Sequence, residues 1–77
     1  MSIVIETHDL TLYGCPMHYI KAREFLRSLE VEDVVIFEVN KGDAVDEVLT
    51  SLRHDGQTCG LESEQESTVL IRVIKRI

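Results

Sequence analysis

Positive charge is scarce in this sequence. Eight Lys and Arg side chains stand against fourteen Asp and Glu, a formal net charge of −6. Nucleic-acid binders need a cationic face that releases phosphate counterions. None is visible, and the basic tail of Arg72, Lys75 and Arg76 reads as a solvated strand edge. Direct nucleic-acid binding is therefore not expected. Long apolar runs are missing as well. The longest is Val34 to Phe37, far short of the about 20 residues that cross a bilayer. The N-terminal stretch MSIVIETH has no basic segment leading into an apolar one, so no secretory signal and no membrane partner are expected. A cytoplasmic, reducing location follows as the expectation. Cysteine is limited to Cys15 and Cys59, which there read as free thiols rather than a structural bridge. Proline occurs once, at Pro16.

Seventy-seven residues fit one small domain, spanning 1–77. A chain of this size buries only roughly 60–65% of its unfolded surface. It has one core and no room for a deep enclosed cavity. Chemistry would take place near the surface, with another protein as partner. No repeat, linker or low-complexity segment is visible.

The pattern of apolar residues sets the order of elements. Ile3-Val4-Ile5 is short and β-branched and reads as a strand, followed by a loop from Thr7 to Gly14. From Pro16 to about Glu30 the period is helical, with Ala22, Leu26 and Leu29 in one stripe and Phe25 beside them. Val34 to Val39 is a central strand and Asn40-Lys41-Gly42 a turn. Asp43 begins a second helix, with Asp46 completing an imperfect capping box. Its apolar face is Ala44, Val45, Val48, Leu49 and Leu52, and Gly56 stops it. Gln57 to Glu64 is a polar edge strand, and Ser67 to Lys75 a stronger strand.

The expected fold is α+β, a two-layer sandwich of order β-α-β-α-β-β. Its four-stranded mixed sheet runs 1-2-4-3, with both helices on one face and the last strand antiparallel to the others. Val34, Ile36, Leu70 and Ile74 then point to the open face. An apolar open face would suit a partner or a homodimer. Central strands are also often apolar on both faces, so both readings stand.

The stretch TLYGCPMHYIKAREFL puts Cys15 directly before the only proline and a helical pattern. Proline suits the first helical position, which makes Cys15 the N-cap. Cysteine is a poor cap, but a thiolate at a helix N-terminus is stabilised and becomes nucleophilic at neutral pH. Cys15 is therefore the candidate reactive residue. Cys59 alternates with Leu61 along a strand, and both are expected to face the core. His18, one turn into the helix, could tune Cys15, but packing against the core is the expected role. Cys15, His18 and His8 do not make up the four ligands of a zinc site, so no metal is expected. Met17 and Ile20 fall off the core stripe and flank the helix start, where they would form a docking rim.

Two families share a Cys-Pro helix start. The stretch looks like the strand, turn and Cys-Pro-x-x of glutaredoxins, but those need a second, cis proline opposite the cysteine, and Pro16 stands alone. The second cysteine of their Cys-x-x-Cys is His18 here. The chain more closely resembles the TusA/SirA-like sulfur carriers, from Ile3 to about Lys75. Asp9 precedes the cysteine as in the family's Asp-x-x-Gly-Leu-x-Cys-Pro, and Cys15 and Pro16 match its core. Ala44 with Glu47-Val48 resembles the family's Ala-x-x-Asp-Ile, and Gly56 the glycine before the third strand. Departures are Leu12 for a glycine, His18 for the second proline, and Asn40-Lys41-Gly42 for an Asp-Asp-Pro. The chain thus looks like a divergent member.

The resemblance implies a persulfide relay, a sulfurtransferase if active, with no cofactor. Cys15 would take sulfane sulfur from a cysteine desulfurase or rhodanese-like donor and pass it to an acceptor protein. Pro16, His18 and Asp9 would shape the helix start. A glutaredoxin-like redox protein and a non-catalytic interaction module remain the alternatives.

Overall fold

The structure is a computed structural model that describes residues 6–13 and 17–77. Its elements are β1 (Glu6–Asp9), α1 (Met17–Arg27), β2 (Val34–Asn40), α2 (Asp43–His54), β3 (Thr58–Glu64) and β4 (Thr68–Ile74). The sheet order is β1-β2-β4-β3, with β1 parallel to β2 and β4 antiparallel to both of its neighbours. The expected α+β topology is thus the observed one. The stretch Ile3-Val4-Ile5, Cys15 and Pro16 lie outside the described residues.

One face of the sheet carries the core. Val35, Phe37 and Val39 from β2 and Val69, Ile71 and Val73 from β4 are buried with Ala22, Leu26, Val48, Leu49 and Leu52 from the helices. The period of two in the strands and about 3.6 in the helices delivers these residues to one layer. On the opposite face Val34, Ile36, Leu70 and Ile74 are half-buried, as the alternation requires. That face is less apolar than expected. Arg72 sits opposite Ile36, and Glu38 sits opposite Leu70 and accepts a 2.8 Å bond from the Thr68 hydroxyl.

Four local expectations are corrected. The first strand includes Glu6–Asp9, which the sequence reading treated partly as loop. An edge strand needs main-chain pairing more than apolar side chains, and Glu6 to Asp9 pair in register with Val35 to Glu38. Helix α1 ends at Arg27 rather than near Glu30. The amides of Ser28 and Leu29 turn to the carbonyls of Phe25 and Leu26, and Ser28 Oγ also bonds the Phe25 carbonyl at 2.8 Å. The capping box on α2 is not formed: the N-cap is Gly42, with no side-chain cap bond. Asp43 and Asp46 in the first turn still favour the positive helix end. Leu61 is exposed rather than core-facing, at 64%. It lies on an edge strand where the register shifts between Leu61 and Ser63.

The C-terminus of α2 follows the sequence expectation. Gly56 has φ +99°, its amide bonds the Arg53 carbonyl, and the Gln57 amide bonds the Leu52 carbonyl. These two bonds are the Schellman pattern, which needs a left-handed residue that glycine adopts without steric cost.

Candidate functional site

The segment between β1 and α1 is held from three sides. The Leu10 amide continues the parallel ladder to the Glu38 carbonyl at 2.8 Å, and Leu10 itself is fully buried. Asp9 Oδ1 accepts the Thr11 amide at 2.8 Å and the Thr11 hydroxyl at 2.5 Å. A short carboxylate that bonds the backbone two residues on fixes a tight turn. Those bonds, hydroxyl first and amide second, hold the Asp9 carboxyl below its ordinary range. Asn40 Nδ2 donates to the Thr11 carbonyl at 2.9 Å, and the Tyr13 amide bonds the Leu10 carbonyl at 3.1 Å. Lys21 from α1 stands 5.5 Å over the Tyr13 ring, within cation–π reach. The chain is thus fixed up to Tyr13 and again from Met17. Cys15 and Pro16, between them, lie outside the described residues.

Exposed apolar side chains precede and follow Cys15 in sequence. Met17 and Ile20, expected as a rim, are 38% and 39% exposed and lie one turn apart on α1. Leu12, in the turn before, is 89% exposed. Sequence reasoning noted Leu12 only as a departure from a family glycine. Its large apolar side chain in a tight turn was the signal.

His18 is buried, in line with Ala22 and Leu26 on the core face of α1. Neither ring nitrogen has a hydrogen-bond partner among the described residues. It is the buried polar side chain among the described residues. His8 is elsewhere: it stacks on Phe25 at 4.0 Å, with Phe37 beyond at 6.0 Å, and bonds Glu6 at 3.2 Å. Among the described residues no three His, Cys, Asp or Glu side chains group around a possible metal position.

Cys59 is a free, half-buried thiol packed against the core. Burial pushes its pKa up, and the nearby Arg53 guanidinium only partly opposes this. Such a thiol is a poor nucleophile at neutral pH.

No family model matches the sequence, and no curated protein matches it. A solved structure does match: a SirA-like protein from Desulfitobacterium hafniense. The likeness has a TM-score of 0.79 at 18% identity and covers 94% of this chain and 99% of that one. The chain has the SirA-like fold. No helix among the described residues is long and apolar enough to cross a membrane.

Proposed function

We propose that this protein is a sulfur carrier that relays persulfide sulfur through Cys15. The observation that carries this reading is the SirA-like fold over nearly the whole chain. Two features of the chain support it. Cys15 follows in sequence, two residues after Tyr13, on a turn fixed by Asp9, Glu38 and Asn40. Leu12, Met17 and Ile20, which precede and follow it in sequence, offer exposed apolar surface suited to a donor or acceptor protein.

In the loading step the Cys15 thiolate attacks the terminal sulfur of a donor persulfide, R–S–SH. A new S–S bond forms at Cys15 and the donor S–S bond breaks. The donor leaves as the thiolate RS⁻, carrying the electron pair. The proton on the transferred sulfur is released to solvent. The acceptor thiolate then attacks the same sulfur and Cys15 leaves as thiolate. One S–S bond replaces another in each step, so no oxidant or reductant is needed.

Intact mass spectrometry after incubation with a cysteine desulfurase and free cysteine tests the reading. One added sulfur is expected on the wild type and on Cys59→Ser, and none on Cys15→Ser. Loading that persists in Cys15→Ser overturns it. Reduction of a glutathione mixed disulfide without sulfur loading would instead assign the glutaredoxin-like role. The helix-free sheet face, with Val34, Ile36, Leu70 and Ile74, is where a homodimer would form. Sedimentation at micromolar concentration tests that.

A further inference from the structure

Lys21, Arg23, Lys41 and Arg72 each meet a carboxylate. Arg53 donates to the Cys59 carbonyl and Arg76 to the Thr58 hydroxyl. Among the described residues Arg27 and Lys75 meet no carboxylate, and both line the same cleft as Arg23. The cleft holds about 270 Å³ between the C-terminal half of α1, the end of α2 and the end of β4. Leu26 and Ile77 supply apolar walls, and Asp55 is the one side-chain carboxylate on its lining. Three cationic side chains there face one carboxylate side chain, on a chain whose net charge is −6.

Two of the three cations are held in place. Lys75 Nζ donates to the Leu29 carbonyl at 2.6 Å, which uses one of its three N–H donors and none of its charge. Arg23 lies 5.6 Å from the Tyr19 ring centre and 3.7 Å from Asp55. Asp55 is itself occupied, accepting the Tyr19 hydroxyl at 2.6 Å. Gln57 Oε1 already accepts the Arg76 amide, so its NH₂ is the donor left for a ligand.

We propose that this cleft binds a small dianion, a phosphate monoester or a dicarboxylate. The Arg27 fork suits either group bidentately, and Lys75 adds a point charge. The volume is below that of drug-sized pockets, which fits a ligand of few atoms. The site is separate from the proposed sulfur relay: Arg27 lies about 15 Å along α1 from Met17. The competing explanation is that Arg27 and Lys75 serve only the negative helix end.

The experiment titrates the protein with inorganic phosphate and with succinate at ionic strength held constant by chloride, following amide resonances. Saturable shifts at Arg27, Asp55, Gln57 and Lys75 are expected in the millimolar range, and the tighter of the two probes names the ligand class. Arg27→Gln should weaken binding by at least about fivefold. Arg53→Gln, outside the cleft, should leave it unchanged. Shifts no larger than those from chloride, or shifts retained in Arg27→Gln, overturn the proposal. Lys75→Gln should weaken binding likewise. If that variant unfolds because the α1 end is lost, Arg27→Gln decides.

Discussion

Asn40, the last residue of β2, donates its side-chain N–H to the Thr11 carbonyl at 2.9 Å. One bond ties the turn that precedes Cys15 to a central strand. Asn40→Ala removes it at a net cost of about 1 kcal/mol. Hydrogen exchange at Thr11 and Tyr13, the bonded amides of the turn, should then quicken by about fivefold, while the β4 amides stay protected. Unchanged exchange in the turn would show that Asp9 and Leu10 hold it alone.

The Tyr19–Asp55 bond joins α1 to the C-cap of α2. The bond to Asp55 is the main cause of a raised Tyr19 pKa, with burial second. A raised folded pKa means stability that is present below the unfolded value of about 10 and lost as pH rises through the folded value. Tyr19→Phe should cost about 1 kcal/mol at pH 7. The difference in urea midpoint between wild type and variant should shrink above about pH 10. A difference constant to pH 11 would refute the role of this bond.

His18 is buried, and among the described residues neither of its ring nitrogens has a partner. An apolar side chain of similar volume relieves that desolvation cost, and such swaps are neutral or stabilising. His18→Leu should therefore leave stability unchanged or raise it by up to about 2 kcal/mol in urea unfolding. A loss of more than about 2 kcal/mol would mean that the imidazole has a partner in solution. Sulfur loading in the same variant separates packing from tuning of Cys15: packing alone leaves loading intact.

Cys59 carries a pKa raised by burial. In Cys15→Ser its alkylation by iodoacetamide should be slow at pH 7 and inflect above the free-thiol value of about 8.5. Unfolding in urea should return it to the rate of a model thiol. In the wild type Cys15 should label first, read by peptide mass. Preferential labelling of Cys59 would count against the proposed site.

Gly56 holds φ +99° between α2 and β3, and a Cβ there would also collide with the Ile77 side chain. The end of a flexible side chain can move, so the backbone term dominates. Gly56→Ala should cost about 1 kcal/mol, measured by thermal or urea unfolding. No loss would show that the turn relaxes to another conformation.

Much of this fold is written in local periodicity. Val35, Phe37 and Val39 alternate with Val34 and Ile36, and that alternation alone assigns the buried face and the open one. Val48, Leu49 and Leu52 recur at helical spacing, and Gly56 marks where the helix must stop. Crossover handedness then left one sheet order, and the observed order is that one. In the candidate site the exposure of Met17 and Ile20 and the burial of His18 were also legible, because each follows from the angle around α1.

Other features depend on partners distant in the chain. Glu6-Thr7-His8-Asp9 has no strand signature, yet it is a strand because β2 supplies a parallel edge. The clamp on the turn needs Asn40, 29 residues beyond Thr11. Leu61 alternates like a core residue, and only its place beside a bulge on the sheet edge exposes it. The dianion cleft gathers Arg27, Asp55 and Lys75 from three elements. A sequence fixes which way each side chain leaves its own backbone. What that side chain then meets is decided by how the elements pack, and this separates the periodic core from the turn clamp and the charged cleft.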